Sequence, residues 1–229
     1  AQNGISSQNL SLRLNGAVDG SGTTSENGFA DSYVVGDDQP GNDDFISGSI
    51  GEFIVFASEL NTTRQTIVDN YLSAKYNIPL NTGGGANDVY AGDMNGNGDY
   101  DFGVFGIGQE TSTDRHTAAE TDGLRFDLSS GLNNDDYLIA GYRSKENSVN
   151  SNDTSTDGSV SGLEARMDRD WYWDVTDSGG LTVNVTFDLS EAGFPSVLNP
   201  DPSGYVLLYR NGQTGNWTEA SSSATVDNV

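Results

Sequence analysis

Leu181-Thr182-Val183-Asn184-Val185-Thr186-Phe187-Asp188-Leu189 alternates without a fault, apolar at odd positions and polar at even ones. Successive side chains on a strand point to opposite faces, so this stretch buries one face and wets the other. That is the pattern of an antiparallel sheet covered on one side. Shorter runs surround it: Phe102 to Ile107, Leu124 to Leu128, Tyr137 to Tyr142, Trp171 to Val175 and Tyr205 to Tyr209. Nearer the N-terminus come Ser11-Leu12-Arg13-Leu14 with an Asn15-Gly16 turn, then Tyr33-Val34-Val35, then Ile50 to Phe56. In the last of these Glu52 is the odd member of an Ile50, Ile54, Phe56 face, which fits a place near a strand end. Strands at this spacing predict a mainly β protein of antiparallel β-sandwich modules, jelly-roll or immunoglobulin-like.

One segment changes period. Ile67, Val68, Tyr71, Leu72 and Lys75 recur at helical spacing. Thr62 and Gln65 form a capping-box pattern, with Asn61 as a competing cap, and Pro79 stops the segment. A short helix is expected near 62–76, its Val-Tyr-Leu stripe facing the core. Pro79 to Asp88 reads as a linker, which divides the chain into units of 1–80 and 81–229. Residues 144–162 read as a long polar loop.

Composition excludes several functions. The 229 residues carry 34 Asp and Glu against 10 Lys and Arg, a net charge of -24, which repels a phosphate backbone. No apolar run is long enough for a membrane-spanning helix. Zero Cys removes disulfides, thiol nucleophiles and thiolate metal sites, and the single His116 removes multi-histidine centres. Asp outnumbers Glu and Lys is nearly absent, a balance that suits salty water where repulsion is screened. A secreted protein from a marine setting is expected. The start at Ala1, without Met or a signal segment, predicts a mature, processed or partial chain.

The run Gly48 to Phe56, a helix containing Arg64, and then Tyr71-Leu72-Ser73-Ala74-Lys75-Tyr76-Asn77-Ile78 resemble the last strand and closing helix of bacterial concanavalin-A-like (laminin-G-like) domains. Val35-Gly36-Asp37-Asp38 and Phe45 fit the same pattern. Gly106-Ile107-Gly108-Gln109, the stretch from Arg166 to Val175, and Leu181 to Leu189 resemble the β-rich module that follows such domains in large surface proteins. The resemblance implies the closing half of one sandwich over 1–80 and a second module over 81–229 that lacks its last strand. Two explanations follow: the chain is a fragment, or neighbouring subunits supply the missing strands at open edges.

The best local motif is Asp93-Met94-Asn95-Gly96-Asn97-Gly98-Asp99-Tyr100-Asp101. Asp93, Asn95, Asn97, Asp99 and Asp101 place oxygen side chains at alternate positions, with Gly98 in the sixth place, like the first half of a calcium loop. Val104 stands where the bidentate Glu of an EF-hand belongs, so the missing ligand must come from Asp88 or a remote Asp. Asp37, Asp38, Asp43 and Asp44, with Asn42, form a weaker second calcium candidate or a solvated acidic loop. Asn133 to Asp136 makes a turn.

Catalytic patterns are poor. Glu120-x-Asp122 is the nearest approach to a glycosidase cluster, and Arg125 occupies the place of its third acid. His116 sits in a polar stretch and reads as a surface histidine. Among aromatics, Tyr172 points opposite to Trp171 and Trp173 on a strand, so it faces out and, with Trp217 and Tyr100, could stack on a sugar. The first expectation is a non-catalytic extracellular structural or adhesive module, calcium-stabilised, from a surface adhesin or self-assembling fibre. Its partners would be further copies or other surface proteins. The alternatives are a calcium-dependent carbohydrate-binding, lectin-like module and a polysaccharide hydrolase.

Overall fold

The computed structural model describes residues 8–24, 47–144, 148–176, 179–192 and 204–220. The described chain is mainly β, with antiparallel pairing between every pair of strands and one α-helix. The expected run at Tyr33 to Val35, the residues Asp37, Asp38, Asp43 and Asp44, and Lys145 lie outside the described residues.

Two sheets face each other. In the first, β3 (Phe102–Thr111) lies between β4 (Asp114–His116) and β7 (Asp136–Tyr142), and β10 (Trp171–Thr176) flanks β7. In the second, β6 (Leu124–Ser130) lies between β5 (Ala118–Thr121) and β11 (Thr182–Phe187). Phe105, Ile107, Leu138, Ala140 and Trp171 meet Leu124, Phe126, Val183, Val185 and Phe187 in one apolar layer. Phe105 stacks on Phe126 with ring centres 4.9 Å apart.

The other face of the first sheet is covered as well. α1 (Thr62–Tyr76) packs on β3 and β4. Ile67 and Ala74 join Tyr90, Tyr100, Val104, Tyr137 and Ile139 in a second cluster, with Tyr71 and Tyr172 against it. β7 therefore has every residue buried, as a central strand covered on both faces should. Gly108 makes room for this: a Cβ there would run into the Tyr137 ring.

The helix spans 62–76 as expected and takes Asn61, the competing cap, but its buried face differs. Asn61 is the N-cap, its side chain accepting from Arg64 N–H at 3.0 Å, and Asn77 in the left-handed region ends the helix before Pro79. The Asp114 carboxylate from the β3–β4 turn accepts from the N–H groups of Thr62 and Thr63, each at 3.0 Å. The buried face is Thr63, Thr66, Ile67, Asn70, Ser73 and Ala74, whereas Val68 and Leu72 are half-buried and Lys75 is exposed. Polar partners permit this. Asn70 donates to the carbonyls of Thr66 and Asn87, each at 2.8 Å, and accepts from Val89 N–H. A buried polar group so satisfied carries little desolvation penalty.

The N-terminal strands are β1 (Gln8–Leu14) and β2 (Ala17–Thr24), a hairpin turning at Asn15 and Gly16, both at positive φ. Its turn docks on the helix side: Asn81 N–H donates to Asn15 C=O, and Arg13 pairs with Asp69 at 3.0 Å. Ile50 to Phe56, expected as the strongest early strand, has no strand partner among the described residues. The stretch read as a linker carries a short 3-10 turn (Thr82–Gly84) and buries Ala86, and the α1 cluster draws on residues from both sides of position 80.

The polar loop is pinned. β8 (Val149–Asn150) pairs with β9 (Arg166–Met167), and Thr156 bridges to Trp217 beside the ribbon of β12 (Leu208–Tyr209) and β13 (Thr218–Glu219). Of the run expected at Tyr205 to Tyr209, only Leu208 and Tyr209 pair.

Candidate functional site

The segment 88–101 lies over the first sheet, on the side of α1. Tyr90 and Tyr100 anchor it in the core, and Tyr90 Oη donates to Tyr100 C=O at 2.7 Å. Between these anchors the chain folds tightly. The N–H groups of Asn97 and Gly98 donate to Met94 C=O, and Tyr100 N–H donates to Gly92 C=O. Gly98 takes φ 112° and Asp99 φ 55°, values that a tight reversal demands.

Burial pushes Asp93 above its ordinary value of 3.8, and Asp88, Asp101 and Asp174 add to the shift. Asp88 is raised by burial and by Asp174, and Asp101 by burial and by Asp99. No Arg or Lys figures among the leading influences on these three carboxyls. Asp174 on β10 lies beside this segment, and its Oδ2 accepts from Ala91 N–H at 2.7 Å.

The residues suit a hard cation in chemistry, since all the donors are oxygens and the carboxylates raise one another's affinity for positive charge. Three of the five predicted ligands are otherwise engaged. Asn97 Nδ2 donates to Ala91 C=O at 2.6 Å, and Asn95, with its amide turned to donate, reaches the Asp99 carboxylate at 2.7 Å. Among the described residues, no group of three or more His, Cys, Asp or Glu side chains is arranged to hold a metal. A cation here would therefore draw on asparagine oxygens, with rotation of those two side chains.

The predicted aromatic residues are packed. Tyr172 does oppose Trp171 and Trp173, but the 88–101 segment covers it: its ring lies 6.1 Å from Tyr90 and 5.6 Å from Tyr100. Trp171 and Trp173 meet Phe105 and Phe126 edge to face. Trp217 is 7% exposed, held between the guanidinium groups of Arg166 at 5.1 Å and Arg210 at 4.1 Å. Sequence reasoning did not find these arginines. Arg166 and Arg210 both pair with Asp153, Arg143 pairs with Asp170 at 2.7 Å, and Tyr100 Oη donates to Asp170. Burial raises Asp153, yet the two arginines outweigh it and hold the carboxyl below its ordinary value. The signal available in sequence was the concentration of Arg143, Arg166, Arg169 and Arg210 in a chain poor in cations.

The acids of the glycosidase-like pattern are tied to neighbours. Arg125 bridges Glu120 at 2.9 Å and Asp127 at 2.6 Å, and Asp122 accepts from Tyr142 Oη. His116 is half-buried, and its Nδ1 accepts from Arg64 Nε at 3.3 Å. Burial and then Arg64 hold that imidazole below its usual range. Asp136 accepts from Asn133 N–H and side chain, closing the expected turn. Comparison with family models, curated proteins and solved structures gives no match to this chain.

Proposed function

We propose that this chain is a non-catalytic extracellular structural or adhesive module, stabilised by calcium, and part of a cell-surface adhesin or self-assembling fibre. The observation that carries the reading is the Ile50–Phe56 stretch, apolar and largely open to solvent in a chain of net charge -24. A contiguous apolar surface on so charged a protein is a surface made to be covered. The concanavalin-A-like likeness supports the same reading, since such domains occur in large surface proteins. The lectin-like reading takes second place because Tyr172 and Trp217, the rings it needs, are packed against protein.

Calcium enters through the 88–101 segment, where Asp93, Asp88 and Asp174 repel one another. A cation bound only to the folded chain at a hundred times its Kd would add about 2.7 kcal/mol. That corresponds to a melting shift on the order of 5–10 °C for a domain of this size. Chelation is expected to lower Tm by that amount, and Asp93→Ala to remove most of the response. An identical melt with and without chelator would overturn the calcium assignment. Light scattering and electron microscopy in saline buffer test assembly: large particles or filaments are expected, and a compact monomer at every concentration would refute it.

A further inference from the structure

We propose that assembly proceeds by strand addition, the Gly51–Phe56 segment of one copy pairing in the next with the edge of β11 that has no strand partner among the described residues. This rests on the assembly reading above and names its contact.

The donor lies in no helix or strand, and no backbone hydrogen bond joins it to another described segment. Glu52 is held to its own helix by Tyr71 and by Lys75 at 3.1 Å, which fixes one face of the segment. Phe53, 59% exposed, and Val55, 52% exposed, belong to the opposite face. With Glu52 neutralised by Lys75, the segment is locally uncharged. Its four exposed apolar side chains, Phe53, Ile54, Val55 and Phe56, present roughly 400 Å² by ordinary side-chain areas, about half of the ~800 Å² each partner gives a stable interface.

The acceptor is singled out by charge. Of the four edges of the two facing sheets, β4 carries Asp114, Arg115 and His116, β5 carries Glu120, and β10 carries Asp174. β11, Thr-Val-Asn-Val-Thr-Phe, carries no charge and no Pro, the usual protections of an open edge. Its core-facing Val183, Val185 and Phe187 stay only half-buried, and across the flank Trp173 and Val175 of β10 are exposed. Phe53 and Val55 of an incoming strand would complete this layer. Six residues span ~20 Å on either strand, so the lengths match. Two molecules of charge -24 approach at least cost where each is neutral, and salt strengthens the contact. Donor and acceptor are different surfaces, so the contact is head-to-tail and propagates into filaments.

The absence of Cys makes a clean test. With Phe53 and Val55 inward, Ile54 falls on the outer face beside the exposed Asn184. Full-length Ile54→Cys and Asn184→Cys are oxidised separately, mixed, and as the double variant. The expected result is no covalent dimer from either single variant, dimers from the mixture, and a ladder of multimers from the double variant. Dimers from Ile54→Cys alone mean the segment pairs with itself, and dimers from Asn184→Cys alone mean β11 does; either overturns the proposal. Large particles without a disulfide in the mixture also overturn it while leaving the assembly reading intact, whereas monomers throughout refute both. Asn184→Lys, which sets a charge on the edge, is expected to shrink the particles without changing the monomer's unfolding; unchanged particles would refute strand addition at β11.

Discussion

Ile50–Phe56 and Thr182–Phe187 are both apolar runs read as strands, yet they lead different lives in the fold. β11 lies in register with β6, and Val183, Val185 and Phe187 turn toward Phe105 and Phe126. Ile50–Phe56 has no backbone partner among the described residues and shows Phe53 and Val55 largely to solvent. The carboxylates divide in the same way. Asp153 lies against two arginines and stays below its ordinary value, while Asp93 lies among other acids and rises above it. In both cases the residue type sets the tendency, and the presence of a partner decides the energy.

The sharpest way to break this comparison is to truncate one ring on each side of it. Phe126 is fully buried, stacked on Phe105 and edge-on to Trp173. Phe126→Ala is expected to cost about 4 kcal/mol in denaturant unfolding, from lost transfer energy and the cavity left behind. Phe53→Ala is expected to change the unfolding of the monomer by less than about 0.5 kcal/mol. Equal losses would mean that Ile50–Phe56 is part of the folding core and not a waiting surface.

Arg210 tests the partnered charges. Its side chain is 8% exposed, and the guanidinium pairs with Asp153 at 3.0 Å and lies over Trp217. Arg210→Ala is expected to cost about 3 kcal/mol, since it leaves Asp153 and Asp170 short of a cation and uncovers the indole. A loss below about 1 kcal/mol would place this network with ordinary surface pairs.

Asp114 is a smaller test of the same kind. Burial raises this carboxyl, but the Thr62 and Thr63 donors outweigh it and leave it below 3.8. Its contribution is therefore complete above that value and is lost as pH falls through the lowered one. Asp114→Asn is expected to cost about 1 kcal/mol at neutral pH, read as loss of helix stability in thermal unfolding. The difference from the parent should vanish in strong acid, and a constant difference would exclude the carboxylate as the cause.

Strict alternation at Leu181–Leu189 and the runs at Phe102, Leu124, Tyr137 and Trp171 were legible because each names its own period. The helix was legible in extent, but its buried face was not. Thr63 and Asn70 are buried because Glu110 N–H, Asn87 C=O and Val89 N–H await them, and these partners lie 17 to 47 residues away in sequence. Tyr172 was placed on the correct side of its strand and wrongly left open, since nothing local reveals that 88–101 folds over it. The alternating oxygens of Asp93 to Asp101 could be read as a spacing, while the nearness of Asp174 became visible only when β10 came beneath the loop.

The smallest expected effect has the most telling sign. Asp93, Asp88 and Asp101 are all raised above 3.8, so their ionisation opposes folding. That cost is absent below 3.8 and grows as pH rises through their raised values. In chelator at neutral pH, Asp93→Asn is therefore expected to melt higher than the parent, by less than about 1 kcal/mol because the group is only half-buried. With calcium present the order should reverse, because the parent alone then gains the full ionic ligand. A turn-forming Asp93 with no cation to meet would leave the order unchanged. The crossing of the two melts with calcium thus separates an acid kept for a partner from an acid that merely shapes a loop.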